Sequence, residues 1–179
     1  TDTGGVSGRY LGASHPPAPV AYSPGSDVLQ LRGARPPAGS VHLAQTATYT
    51  ALGLDAQAQS KLAVIGDLIC SAGFNITGVT DPEEIERFHF LDSLSLLRLE
   101  PVLAARSIVD IGSGGGLPAL ILALALKDAR ITALESQRKK CAYIERAAAA
   151  LDLTNVTVCC RRAEDYGRAS GREAHDAAV

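Results

Sequence analysis

The spacing of apolar residues changes along the chain, and each spacing predicts a different kind of element. After Asp55, apolar side chains recur every three or four residues, at Ala58, Leu62, Ile65 and Ile69. This spacing predicts a helix with one apolar face, which Asp55 caps and which ends near Gly73.

A second helix is predicted from Pro82 to about Leu97. Asp81 suits the capping position, proline suits the first helical position, and a glutamate follows at the third. Within this helix His89, Asp92 and Ser93 are three and four residues apart, so they share one side. A histidine and an aspartate at this spacing are more often a local hydrogen-bonded pair than a catalytic one.

From Ser107 onward, short aliphatic runs alternate with amphipathic segments. The runs predict strands at residues 107–111, 130–135 and 156–160, and residues 175–179 look like the opening of a fourth. Helices are predicted from Leu117 to Leu126, with Pro118 at the first helical position, and after a capping Ser136. This alternation implies right-handed crossovers and a parallel sheet. We therefore predict a Rossmann-like, three-layer α/β sandwich preceded by N-terminal helices.

The first part of the chain has a different composition. Residues 1 to about 45 hold six of the nine prolines and seven glycines, without sustained periodicity. Such a segment buries too little apolar surface to offset the entropy of ordering it. We predict a disordered tail over residues 1–50 and one folded domain over residues 51–179, which suits a chain of 179 residues.

Composition narrows the classes of function. The formal net charge is −2, so no overall positive field draws the chain to nucleic acid, and any RNA contact needs a local patch. No apolar run reaches membrane-spanning length, and the N-terminus lacks the pattern of a secretory signal. The four cysteines, Cys70, Cys141, Cys159 and Cys160, show no Cys-x-x-Cys spacing. We therefore expect reduced core thiols in a cytoplasmic protein rather than a metal site.

The loop after the first predicted strand carries the pattern Asp110-x-Gly112-x-Gly114-x-Gly116, and Glu135 ends the next strand. Glycines allow positive φ and let a ligand approach the peptide groups. A dinucleotide fingerprint needs a small residue where Leu117 stands, so that fingerprint fails. The pattern instead looks like the S-adenosylmethionine (SAM) site of Rossmann-like, class I methyltransferases. In such a site one acid holds the ribose hydroxyls and the other lies beside the cationic methionine end. A glycine-rich structural turn is the alternative.

Several separated motifs resemble one family. Asn75-Ile76-Thr77, Asp81-Pro82-Glu83-Glu84-Ile85 and His89-Phe90-Leu91-Asp92-Ser93-Leu94 precede the glycine loop, and Arg162-Ala163-Glu164-Asp165 follows it. In this order they resemble the bacterial 16S rRNA guanine-N7 methyltransferases, also called glucose-inhibited division protein B. The resemblance covers about Gly53 to Val179. It departs at Phe88, where the family usually has a basic residue, and at Ala119, which is commonly glycine.

The resemblance implies transfer of a methyl group from SAM to N7 of a guanine in 16S rRNA. The implied partner is the rRNA or the small ribosomal subunit, and a monomer without metal is favoured. The implied cofactor residues are Asp110, Gly112, Gly114, Gly116, Leu117, Glu135 on the ribose, and Ala163 with Glu164 at the adenine edge. His89 and Asp92 would lie near the mouth of the pocket as positioning residues.

Guanine N7 has a free lone pair and carries no proton, so we predict no proton-abstracting residue, only placement of the nitrogen in a site shielded from water. N7 lies on an edge that folded RNA hides, so the base must be presented unstacked. Candidate phosphate contacts are Arg138, Lys139, Lys140, Arg161 and Arg162. A solvated helix face explains these basic residues equally well.

The methyltransferase fold that the resemblance implies has a larger sheet than these strands supply. We expect an incomplete sheet, little partnering on the far side of the first strand, and an origin as a truncated reading frame or a fragment. Two alternatives to an active rRNA methyltransferase stay open. One is a non-catalytic SAM-binding remnant, and the other is a nucleotide-linked oxidoreductase.

Overall fold

Four strands form the central sheet: β1 (Ser107–Ile111), β2 (Arg130–Glu135), β3 (Val156–Cys160) and β4 (Ala177–Ala178). All are parallel, in the order β3-β2-β1-β4. They are seen in a computed structural model that describes residues 41–79, 81–169 and 171–179. The predicted strands and the parallel, Rossmann-like sheet are confirmed.

The register brings the carboxyl ends of β1 and β2 together at one edge of the sheet. Ile111 pairs with Leu134, and Glu135 pairs with Cys160 at the end of β3. On its other side β1 pairs with β4, and Val179 extends this pairing through hydrogen bonds with Val109 and Ile111. β1 is therefore paired on both sides, but over a shorter length beside β4 than beside β2.

Polar contacts hold the start of β4 against β1. The Asp176 carboxylate accepts hydrogen bonds from the backbone N–H groups of Arg106 and Ser107, both at 2.9 Å. The His175 ring lies between the hydroxyls of Ser107 and Tyr166, at 2.9 and 2.8 Å. These contacts fix the position of a strand that is itself very short.

Helices cover both faces of the sheet. On one face lie α6 (Ala119–Ala125) and α7 (Arg138–Ala150), and on the other lies α8 (Ala163–Arg168), whose Tyr166 shares a cavity with Val109 and Leu134. Helix α6 is apolar on all sides because it is packed between the sheet and the N-terminal helices. It is shorter than predicted, since Pro118 precedes the helix instead of being its first residue.

The N-terminal part is helical. It comprises α1 (Thr46–Ala51), α2 (Ala56–Cys70), α3 (Pro82–Ile85), a π-helical turn (Glu86–Leu91), α4 (Asp92–Ser95), a 3-10 turn (Leu96–Arg98) and α5 (Glu100–Leu103). Both predicted caps are present: Asp55 accepts from the N–H of Ala58, and Asp81 accepts from the two N–H groups of Glu83 and Glu84. Helix α2 ends at Cys70, earlier than predicted.

The packed part of the chain begins before residue 51, where the domain boundary is predicted. Tyr49 is fully buried, and its hydroxyl donates to the Glu86 carboxylate at 2.9 Å. Glu86 also accepts from the backbone N–H groups of Ala44 and Gln45. Residues 41–50 therefore pack as part of the domain, and the rest of the predicted tail, residues 1–40, lies outside the described residues.

The cysteines differ in burial. Cys141 is buried, Cys159 is half-buried, and Cys70 and Cys160 are exposed, so the prediction of core thiols is wrong for the last two. In the described ranges no group of three or more His, Cys, Asp and Glu side chains is arranged to hold a metal ion. None of the helices in this part of the chain is long and apolar enough to cross a bilayer.

Candidate functional site

The glycine loop turns sharply at the carboxyl end of β1. Gly112, Gly114 and Gly116 have positive φ values of 83°, 54° and 82°. A Cβ atom built on Gly112 would meet nothing within 4 Å, so open space lies over this part of the loop. Gly115 is required for another reason, because a Cβ there would clash with the side chain of Ile76. The loop is thus open to a ligand on one side and packed on the other.

Most N–H groups of this loop already donate within the protein. The N–H groups of Gly112 and Ser113 donate to the Leu134 carbonyl. The N–H groups of Gly116 and Leu117 donate to the Ser113 carbonyl. The N–H of Gly114 donates to the Glu135 carboxylate. An anion-binding loop needs N–H groups that point at the ligand. The engaged N–H groups therefore do not form a cradle for pyrophosphate.

Glu135 is 7% exposed and accepts three backbone hydrogen bonds. Its Oε1 accepts from Ser136 and Gln137 at 2.7 and 2.8 Å, and its Oε2 accepts from Gly114 at 3.0 Å. Burial alone would raise the pKa of Glu135, but these donors and the nearby Lys140 lower it below its usual value. The prediction that Ser136 caps the next helix is wrong, because α7 begins at Arg138 and its preceding N–H groups bond to Glu135.

Asp110 lies deeper, at 2% exposed. Its Oδ2 accepts from the N–H of Ala119, the first residue of α6, at 3.1 Å. Burial raises the pKa of Asp110 to about 6, despite this hydrogen bond. A carboxylate at this end of the helix repels phosphate and favours a cation nearby.

The second predicted motif lines a cavity beside the loop. His89 and Asp92 contribute to a cavity of about 350 Å³ that is also bounded by Leu117 and Pro118. Nε2 of His89 contacts the Thr77 hydroxyl at 2.7 Å, so the histidine pairs with Thr77 instead of with Asp92. Burial lowers the pKa of His89 below its usual value.

Phe88 forms part of the same cavity wall and is 49% exposed. The π-helical turn that contains Phe88 and His89 was not predicted from the sequence. Thr77 and Ile76 were also missed as functional neighbours, although their short motif carried part of the family resemblance. Their roles depend on contacts with His89 and Gly115, which lie far along the chain.

The basic candidates follow the carboxyl ends of β2 and β3. Arg138 and Lys139 are exposed in the first turn of α7, Lys140 is half-buried, and Arg161 and Arg162 are exposed before α8. The Lys139 ammonium lies over the ring of Phe74, 4.1 Å from its centroid. Ala163 and Glu164 begin α8, the former half-buried and the latter exposed. All of these residues lie toward the edge of the sheet that carries the glycine loop.

The chain is similar to known proteins over this region. A family model described as rRNA small subunit methyltransferase G (GidB) matches residues 68–178. A protein from Sorangium cellulosum named ribosomal RNA small subunit methyltransferase G is 47% identical over 104 residues, which cover 58% of this chain and 44% of that protein. One of the same name from Moorella thermoacetica is 44% identical over 106 residues, covering 59% and 44%.

A third relative of that name, from Methylobacillus flagellatus, is 35% identical over 119 residues, which cover 64% of this chain and 57% of that protein. The chain thus spans about half the length of the curated relatives it matches. The matched family segment contains the glycine loop, Glu135 and the His89 motif.

Proposed function

The chain belongs to the GidB family, rRNA small subunit methyltransferase G, and we propose on this basis that it binds SAM and transfers a methyl group to N7 of a guanine in 16S rRNA. When bound, SAM supplies an electrophilic methyl group on a positively charged sulfur. The residues of this chain hold the cofactor, position the base and exclude water.

The observation that carries the proposal is the electrostatic character of the loop. Most of its N–H groups are engaged by the protein, and the Asp110 carboxylate lies at the start of α6. This combination suits a cation and opposes a pyrophosphate, whose recognition depends on free N–H groups at a helix start. It favours SAM over the dinucleotide of an oxidoreductase.

Glu135 is proposed to bind the ribose. A carboxylate has about four acceptor positions, and backbone N–H groups already take three on Glu135. One ribose hydroxyl can therefore bond directly, while a second would displace the N–H of Gly114 from Oε2. We infer that binding moves the loop at Gly114. The open space over Gly112 leaves room for the ligand. Ala163 and Glu164 are proposed to line its adenine edge.

The target base is proposed to enter the cavity of Phe88, His89 and Asp92, because this cavity adjoins the loop at Leu117. Phe88 offers an exposed ring against which an unstacked base can pack. Burial lowers the pKa of His89, which favours the neutral imidazole. Its role is then to position the base, which agrees with a nitrogen that has no proton to remove.

Phosphate contacts are proposed for the basic residues near the loop edge, Arg138, Lys139, Lys140, Arg161 and Arg162. Their charges are local, which suits a chain whose formal net charge is −2. Binding through such contacts weakens as salt rises, because phosphate neutralisation releases counterions.

Titration calorimetry with SAM and with NAD tests the cofactor assignment. We expect binding of SAM and none of NAD, and we expect Glu135→Gln to weaken SAM binding by at least about tenfold, because a charged acceptor is lost. Glu145→Gln on α7 is the matched control, since this glutamate lies outside the site. Heat from NAD alone, or equal SAM affinity in both variants, would contradict the assignment.

Transfer itself is tested with radiolabelled SAM and 16S rRNA or small ribosomal subunits, followed by nucleoside analysis for 7-methylguanine. We expect label in that nucleoside. SAM binding without any transfer would instead identify the chain as a non-catalytic remnant, the second candidate function.

A further inference from the structure

Two cysteines that the proposed function does not use lie in contact beside Glu135. Cys141 is in the first turn of α7, and Cys160 is the last residue of β3. Their Sγ atoms are 2.6 Å apart, whereas a disulfide bond is about 2.05 Å long. Both are free thiols. We propose that Cys141 and Cys160 are a modification site that a peroxide converts to a disulfide.

The sheet register explains why Cys160, and not Cys159, contacts Cys141. Successive side chains of a strand point to opposite faces. Cys160 pairs with Glu135, on the face that α7 covers, while Cys159 pairs with Leu134, which borders the cavity on the α8 face. The Cys141 thiol also donates to the Glu135 carbonyl at 3.3 Å, which holds it toward the end of β3.

The two thiols differ in access. Cys160 is exposed, whereas Cys141 is only 3% exposed. Burial, together with the Cys160 thiol and Glu135, holds the pKa of Cys141 well above its usual value. An oxidant from solvent therefore meets Cys160 first, and Cys141 is placed to react with the oxidised product at close range.

The chemistry needs a hydroperoxide as oxidant, and hydrogen peroxide serves as the probe. The Cys160 sulfur attacks one peroxide oxygen, the O–O bond breaks, and the products are Cys160 sulfenic acid and water. The Cys141 sulfur then attacks the Cys160 sulfur, the S–O bond breaks, and the hydroxyl leaves as a second water with the Cys141 proton. The two sulfurs lose two electrons in total, and the peroxide oxygens gain them.

The disulfide would cross-link α7 to β3 and close a loop over the intervening residues 142–159. A cross-link of this kind restricts the unfolded chain. Oxidation should therefore raise the midpoint of thermal unfolding, by about 10 °C for a domain of this size. The proposal does not depend on SAM binding, so its failure would leave the proposed function untouched.

The test treats the reduced full chain with hydrogen peroxide at low protein concentration, followed by intact mass measurement and non-reducing peptide mapping. We expect the mass of two hydrogen atoms to be lost, a peptide linking Cys141 to Cys160, and a higher unfolding midpoint that a dithiol reductant reverses. Oxidation without this linked peptide, or a link from Cys160 to Cys159, would overturn the proposal.

The neighbouring cysteine supplies a matched control. Cys159→Ser should form the same linked peptide as the parent chain, whereas Cys160→Ser should form none. Cys160 is exposed, so its replacement by serine should leave the unfolding midpoint of the reduced protein close to that of the parent. Equal loss of the cross-link in both variants would contradict the assignment to Cys160.

Discussion

The acids at the ends of β1 and β2 lie on neighbouring strands, yet the fold stabilises opposite forms of them. Asp110 accepts from the N–H of Ala119, and burial raises its pKa to about 6. Glu135 is also buried but accepts three backbone N–H groups, and its pKa is lowered. Asp110 is the more deeply buried of the two and has fewer backbone donors, and both differences favour its neutral form, whereas the donors and Lys140 outweigh burial at Glu135.

This difference suggests a division of roles within one site. Glu135 is held ionised and oriented before any ligand arrives, which suits an acceptor for hydroxyl groups. Asp110 is ionised at a cost that a nearby cation would offset. A ligand with hydroxyls at one end and a positive charge at the other would match both acids.

Removing the Glu135 carboxylate should have the largest effect on stability. Glu135→Ala leaves the N–H groups of Gly114, Ser136 and Gln137 without their acceptor, and unsatisfied buried donors cost about 1–3 kcal/mol each. Water can reach the exposed Gln137, so we expect a loss of about 3 kcal/mol in the free energy of unfolding, measured by urea denaturation at neutral pH. A loss no larger than that of Glu145→Ala would contradict this account.

Removing the charge of Asp110 should stabilise the protein, whereas removing the Glu135 carboxylate should destabilise it. The pKa of Asp110 rises on folding, so between about pH 4 and pH 6 the folded state binds more protons than the unfolded state. The free energy of unfolding therefore falls as the pH rises through this window. Asp110→Asn keeps an oxygen for Ala119 without the charge. We expect it to be more stable than the parent above pH 6, by up to about 3 kcal/mol, with little difference at the acid end.

The measurement is urea denaturation across this pH range, with Asp92→Asn as the control because Asp92 is exposed. Parallel stability curves for Asp110→Asn and the parent would show that the carboxylate is not destabilised by burial. If the SAM proposal holds, the same substitution weakens cofactor binding, so the variant should gain stability while it loses affinity.

The elements that carry the proposed cofactor site were predictable because their signals are local. A strand, a glycine loop and a helix follow one another between residues 107 and 125, and the acid at position 135 ends the next strand. What each acid bonds to was not predictable. The three donors of Glu135 include Gly114, which reaches it only through the pairing of β1 with β2. For the same reason Ser136 was mistaken for a helix cap.

The helical side was harder to predict from its periodicity. The start signal at Asp81 is confirmed, but the π-helical turn over Glu86–Leu91 widens the helix and changes which residues face the cavity. The partner of His89 is Thr77, in a different segment, and not Asp92 on the same helix. The burial of Tyr49 likewise depends on Glu86, so the domain boundary could not be placed from composition alone.

The next prediction concerns the packing of the glycine loop against Ile76, which helps to hold the loop in place beside Glu135. Gly115→Ala should force the loop away from Ile76 and cost about 2 kcal/mol of stability, as overpacking does in other cores. The matched experiment is a double-mutant cycle with Ile76→Ala. Gly115→Ala should cost less in that background, because the clashing side chain is gone. An equal cost in both backgrounds would place the strain elsewhere.

The smallest expected change in stability comes from removing the positive charge of Lys140, which favours the ionised form of Glu135. Lys140 is the last of the groups that lower the pKa of Glu135, after the backbone donors. In Lys140→Gln the pKa of Glu135 should move back up toward its usual value. As the pH is lowered, Glu135 should then become protonated at a higher pH than in the parent, and the stability that its ionised form contributes should be lost earlier. We expect a loss of about 0.5 kcal/mol in the free energy of unfolding at neutral pH, since Lys140 is half-buried and partly screened.

Acid unfolding followed by circular dichroism measures the shift in the acid midpoint, and Lys61→Gln on α2 is the control. Identical acid midpoints for Lys140→Gln and the parent would mean that the three backbone hydrogen bonds alone hold Glu135 ionised.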